Sequence, residues 1–169
     1  PYQKPSDTPY TALGVHAIRA AIEDAGISWA DVNSAYTGTA TTAMGMSRLM
    51  YRHLGATGIP MVQVENASAS GSTAFRQACI EVASGLTNVS IAVGVDKPLG
   101  AKMPQRAAGI RDLGGSRVAP FTHFALLANR YMHDHGATPE QFAAVAVKNS
   151  KNGALNPNAQ RQKARTMEE

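Results

Sequence analysis

Apolar residues recur along the chain at two periods, and the alternation between them divides it into helices and strands. Val15, Ile18, Ile22 and Ala25 stand three and four apart and predict one buried helix face. Thr8-Pro9 starts that helix, with a hydroxyl to cap it and proline at its first position, and Gly26 ends it. Residues 34–39 read as a short strand and 47–53 as a helix stopped near Gly55. Residues 61–66 form a second strand, bounded by Pro60 and a turn of small residues. That turn, Ala67-Ser68-Ala69-Ser70-Gly71-Ser72, opens a helix running to Gly85, with Phe75, Cys79 and Val82 on its apolar face and Ala74 and Ala78 beside them. Residues 88–95, rich in β-branched side chains, are the clearest strand. Strand, helix and strand in this order predict a parallel pair joined by a right-handed crossover.

Beyond Lys97 the pattern changes. Residues 97–120 have no clean period and several glycines, and a loop of that length is usually functional. Phe124, Leu127, Ala128 and Tyr131 define a further helix, stopped at Gly136. Thr138-Pro139-Glu140-Gln141 is a capping box that opens a last helix through Phe142, Val145 and Ala146, closed by Gly153. The remainder is polar and irregular. The fold class is α/β, with residues 1–96 as the core of one domain and 97–169 as an insertion with helices. The first residue is Pro1 and the last helix leads to no further strand, so the domain reads as incomplete.

Composition narrows the classes. The 169 residues suffice for one core, and 44% apolar with 17% charged is a globular balance. No run of eighteen apolar residues exists to span a membrane, and no apolar stretch near Pro1 reads as a signal peptide. The single cysteine, Cys79, excludes an internal disulfide framework, fits a reducing cytoplasm, and reads as a buried, inert thiol. The net charge of +4 raises a nucleic-acid reading, but the basic residues are scattered and no aromatics interleave them. Arg161, Lys163 and Arg165 sit in a solvated tail, whereas Lys97, Lys102, Arg106, Arg111 and Arg117 share the long loop, where they would either meet an anionic ligand such as a nucleotide phosphate or stay solvated. His133 and His135 stand two apart and so point to different sides of a helix, a poor metal pair. His16, His53 and His123 show no carboxylate partner, and no metal motif is present. Gly-x-Ser-x-Gly and Gly-x-Gly-x-x-Gly are both missing, which removes the α/β-hydrolase and dinucleotide-binding readings.

Ser68 is the candidate site residue. A strand that turns tightly into a helix places the turn residue where backbone N–H groups are unpaired and the helix dipole favours negative charge. A thiol there ionises more readily, and the free N–H groups bind a thioester oxyanion. Ala67, Ala69, Ser70 and Gly71 let a substrate approach the backbone. On spacing alone an ordinary strand–helix turn looks the same.

Residues 64–74, Val-Glu-Asn-Ala-Ser-Ala-Ser-Gly-Ser-Thr-Ala, resemble the nucleophile segment of thiolases, with Ser68 where that family places its cysteine. Val93-Gly94-Val95-Asp96-Lys97 resembles the family's Gly-x-(Asp/Glu)-Lys strand end. Residues 129–138, 147–152 and 156–158 are similar to the sterol-carrier-protein-type thiolases, or lipid-transfer proteins. The resemblance implies a thiolase-like fold of two βαβαβ halves, of which this chain would be the N-terminal half plus part of the inserted loop domain. The missing half would supply the histidine base, a second cysteine and a water-binding asparagine, none assignable here.

It further implies an acyl-CoA C-acyltransferase that cleaves 3-oxoacyl-CoA with free CoA, or runs the reverse condensation. Coenzyme A is then substrate rather than bound cofactor, and the backbone N–H of Ser68 contributes to the oxyanion site. A serine hydroxyl ionises several units above the roughly 8.5 of free cysteine, so a helix dipole alone does not activate it. Three accounts of the serine stay open: an engineered Cys→Ser change, a natural cysteine-less aldolase that cleaves acyl-CoA by retro-aldol chemistry, or a non-catalytic subunit. The resemblance also implies a homodimer or larger complex, formed partly through the strand after Pro60, and for the cysteine-less relatives a small OB-fold and zinc-ribbon partner that binds acyl-CoA. The fragment alone is expected to be unstable or associated.

Overall fold

The computed structural model describes residues 7–42, 44–97 and 120–169. Two compact units divide the chain, one spanning Asp7–Met103 and the other containing the last two helices.

In the first unit, helix α1 (Tyr10–Ala25) leads to strand β1 (Ser34–Gly38), short helix α2 (Met46–Tyr51) and strand β2 (Met61–Val64). Helix α3 (Ser70–Ala83) and strand β3 (Ser90–Gly94) follow. Gly26 ends α1 at φ 67°, as expected for a glycine stop. At the other end Pro9 is the cap residue rather than the first helical one, and no side chain caps the helix; Leu13 N–H reaches Pro9 O at 3.2 Å instead.

All three strands are parallel in the order β2-β1-β3. The strands on either side of α3 are therefore parallel but not neighbours, because β1 lies between them. Short β1 is the central strand, with four of its five residues buried. Its signal in the sequence is weak because small and polar residues can occupy a central strand when close-packed helices cover both faces.

The pleat sorts the residues by face. Ala35 and Thr37 of β1 and Val93 of β3 meet α1 and α2, where Val15, Ile18, Met50 and Tyr51 complete an apolar core. Tyr51 is fully buried; its hydroxyl lies 2.7 Å from Thr37 Oγ1 and its ring stacks on Trp29 at 5.7 Å. Ser34, Tyr36 and Gly38, with Ser90 and Gly94, meet α3 on the opposite face. There α3 turns Ser70, Ala74 and Ala78 inward, not the Phe75–Cys79–Val82 face. The reason is distance: a Cβ on Gly38 would stand 2.2 Å from Ser70 O, and one on Gly94 would stand 3.3 Å from Gly71 Cα, so only small residues fit between. Phe75 is 65% exposed and Cys79 is exposed rather than buried; both line an open apolar groove with Ile22, Val82 and Ile91.

In the second unit, helix α4 (Pro120–His135) is followed by α5 (Pro139–Leu155). The capping box is present, with Thr138 N–H bound to Gln141 Oε1 at 3.0 Å. Helix α5 runs past Gly153 to Leu155 rather than stopping there, and the bare Cα of Gly153 faces the carbonyl of Arg161, 3.3 Å from where a Cβ would stand. Tyr131 and Phe142 meet edge to face at 6.3 Å. Most of the 97–120 loop, with Lys102, Arg106, Arg111 and Arg117, lies outside the described residues.

Candidate active site

Parallel strands bring all their C-terminal ends, and the loops that follow, to one edge of a sheet. Here that edge carries the turn after β2, which contains Ser68, the loop after β1 and the loop after β3.

The turn after β2 is strained. Ala67 has φ of 44°, the one non-glycine residue among those described with positive φ. For an alanine this costs about 1–2 kcal/mol, so neighbouring contacts must hold it. They do so on both sides. Ala67 N–H donates to Glu65 Oε1 at 2.6 Å, and the Ser70 hydroxyl donates to Ala67 O at 2.8 Å. The same Ser70 oxygen accepts from Asn66 N–H at 2.7 Å, while Asn66 Nδ2 donates to Thr73 Oγ1 at 3.0 Å.

Ser68 is exposed in the middle of the 3-10 turn Ala67–Ala69 that enters α3. The N–H groups of Asn66, Ala67, Ala69 and Ser70 are all hydrogen-bonded. Among the described residues, neither the N–H nor the hydroxyl of Ser68 has a partner. An outward donor at a helix N-terminus, flanked by satisfied groups, is suited to binding a negatively charged or polarised oxygen.

The other two loops are tied together by Asp96. Its carboxylate accepts from Ala40 N–H at 2.7 Å, Thr41 N–H at 2.9 Å and Thr39 Oγ1 at 3.1 Å, and from the Thr41 hydroxyl. Burial works against its charge, but the bonds from Thr41, Ala40 and Thr39 outweigh that and hold the carboxyl below the usual carboxylate range. Lys97 is engaged as well, its Nζ donating to Thr8 O at 2.7 Å.

The structure thus places Ser68 at the sheet's C-terminal edge, with features that spacing had not shown. The hydrogen bonds of Glu65, Ser70 and Asp96 were not foreseen from the sequence, where Ser70 counts only as a small neighbour of Ser68 and Asp96 as part of the Gly-x-(Asp/Glu)-Lys strand end. All five histidines are exposed; within the second unit His133 Nδ1 sits 3.0 Å from Asp134, and His135 packs on Tyr131 at 4.5 Å. Among the described residues no group of three His, Cys, Asp or Glu is placed to hold a metal, and no helix is long and apolar enough to cross a membrane.

Comparison with known proteins identifies the arrangement. Residues 3–165 match the family described as thiolase, N-terminal domain. The chain belongs to the thiolase family. It is 35% identical over 163 residues to an acetyl-CoA acetyltransferase of Methanothermobacter thermautotrophicus, covering 91% of this chain and 43% of that protein. It is 32% identical to sterol carrier protein 2 of Gallus gallus, covering 99% of this chain and 34% of that one. A solved structure named Ltp2-ChsH2(DUF35) aldolase superposes with a TM-score of 0.77 at 29% identity, over 98% of this chain and 44% of that one. The α/β layering and parallel sheet are therefore those of the thiolase-like fold, and the chain spans less than half the length of these relatives. The lipid-transfer branch and aldolase-like proteins are both among its neighbours.

Proposed function

We propose that the chain supplies one half of an acyl-CoA site in which a carbon–carbon bond next to a thioester is cleaved, with position 68 facing the thioester carbonyl. The observation that carries this reading is the N–H of Ser68, which has no partner among the described residues while the N–H groups of Asn66, Ala67, Ala69 and Ser70 are bound. Charge develops on the thioester oxygen whether the carbon–carbon bond breaks by thiolysis or by retro-aldol reaction. A fixed N–H donor stabilises it in both, and removing such a donor typically costs about 10²–10³ in rate.

The side chain at 68 separates the two reactions. Thiolysis needs a nucleophile to take the acyl group, and a serine hydroxyl ionises several units above a cysteine thiol, so the helix N-terminus alone does not activate it. Retro-aldol cleavage needs no covalent link to the protein. A base removes the proton of the 3-hydroxyl, the Cα–Cβ bond breaks, and its electron pair passes into the thioester enolate; Cα is then protonated. In this scheme the serine lies beside the oxyanion without attacking. The hydroxyl therefore favours the aldolase reading for the chain as it stands, and thiolytic acyl transfer is the reading for a cysteine at the same position. Coenzyme A thioesters are substrates in either case. The superposition on an aldolase named for two components supports a complex with a partner chain, for which a small acyl-CoA-binding protein is the reading.

The test is turnover by the full-length protein with its partner, supplied separately with a 3-hydroxyacyl-CoA and with a 3-oxoacyl-CoA plus free CoA. Release of a ketone or aldehyde from the first supports the aldolase reading. Inertness of both Ser68 and Ser68→Cys proteins toward both substrates would remove position 68 from the chemistry.

A further inference from the structure

We infer that Ser70 and Glu65 are positioning residues that grip the peptide groups on both sides of Ala67 and so hold position 68 exposed with its N–H unpaired. The inference rests on the reading of position 68 as the reactive one.

Ser70 is the first residue of α3, 3% exposed, and its hydroxyl does not serve the helix. Both of its hydrogen bonds go back across the turn, accepting from Asn66 N–H and donating to Ala67 O. Glu65, exposed at the end of β2, holds the other side by accepting from Ala67 N–H. Between these grips stands a residue with φ of 44°, a conformation alanine does not keep unaided. The grip is itself anchored: Ser70 O lies against the bare Cα of Gly38, so β1 fixes Ser70, Ser70 fixes Ala67, and Ala67 aims Ser68. Were Ala67 to relax to negative φ, the peptide between residues 67 and 68 would rotate and the free N–H would point elsewhere.

The geometry can be read without any substrate. In the full-length protein carrying Ser68→Cys and Cys79→Ala, the rate of iodoacetamide alkylation at position 68 is followed against pH by peptide mass spectrometry. A thiol held at this helix N-terminus ionises below the roughly 8.5 of free cysteine. Adding Ser70→Ala should slow alkylation at pH 7 by about fivefold and move the midpoint of the profile upward. Adding Ala67→Gly to that variant should restore part of the rate, since glycine adopts positive φ without help. An unchanged pH profile in a Ser70→Ala protein that melts as the parent does would overturn the inference.

If Ser70→Ala does not fold, Glu65 decides the matter. Glu65→Ala should slow alkylation by about twofold to threefold, and Glu65→Gln, which keeps an acceptor, should not. Glu65→Gln loses the same negative charge, so slowing in Glu65→Ala but not in Glu65→Gln reports lost geometry rather than lost charge. Equal or faster alkylation by Glu65→Ala would sink the grip. Acyl-CoA turnover that is missing while the profile shifts as described counts against the proposed reaction and leaves the grip standing.

Discussion

The two faces of the sheet are built in opposite ways. Toward α1 and α2 the contact is thick and apolar, with Val15, Ile18, Met50 and Tyr51 filling it. Toward α3 it is thin: Ser70, Ala74 and Ala78 meet glycines and serines, and the Ser34 and Ser90 hydroxyls gather around Glu81. One face resists unfolding by removing large side chains from water, the other by bringing backbone close to backbone. The thin face also carries the turn that holds Ser68, because a helix pressed against β1 and β3 has its first turn fixed by the sheet itself. Precision at Ser68 thus comes from residues too small to contribute much burial.

Substitutions on either face break this comparison in different ways. Gly38→Ala should have the largest effect, at least about 3 kcal/mol or no folding, because its Cβ would meet the main chain of Ser70, which cannot swing aside. Chemical denaturation of the full-length protein measures it, and a cost below about 1 kcal/mol would mean that α3 can lift off the sheet. On the thick face Ile18→Ala should cost about 3 kcal/mol by leaving a cavity, with the alkylation profile at position 68 of a Ser68→Cys protein unchanged.

Alkali probes the thick face as well. Burial, opposed only by the bond from Thr37, pushes the Tyr51 hydroxyl up to about 12. A pKa raised in the folded state gives stability that is fully present below the unfolded value near 10. That stability is lost as pH rises through 12, on the order of 2 kcal/mol in all. Tyr51→Phe should flatten that part of the pH–stability curve. Smallest of all, Phe75→Ser on the outer side of α3 should change the stability of the 169-residue chain by less than about 0.5 kcal/mol. It should also reduce binding of an apolar dye to the groove; undiminished dye binding would place the exposed apolar surface elsewhere.

The same contrast explains how far the sequence could be read. Val15, Ile18 and Ile22 announce α1 because large residues at helical spacing are a local signal, and Gly26 and Thr138–Gln141 mark helix ends by local chemistry. The inward side of α3 left no such signal. Phe75, Cys79 and Val82 are its conspicuous apolar residues, yet the approach of Gly38 and Gly94 selects the alanines, and that approach exists only after folding. The central place of β1 was hidden for the same reason. At the candidate site, the thiolase-like segment singles out Ser68, whereas the hydrogen bonds of Glu65 and Ser70 depend on the φ of Ala67, which an alanine does not advertise. Asp96 stood at a recognisable strand end, but its bonds to Thr39, Ala40 and Thr41 join loops more than fifty residues apart.

The central claim is that position 68 faces the acyl-CoA thioester, and one comparison tests it most directly. The full-length protein is assayed for thiolysis of acetoacetyl-CoA with Ser68 as it stands and with Ser68→Cys. The account predicts that the cysteine protein cleaves and the serine protein does not, since a thiol at a helix N-terminus ionises far more readily than a hydroxyl. A serine protein as fast as the cysteine one, or no turnover by either with acetoacetyl-CoA or a 3-hydroxyacyl-CoA, would contradict it.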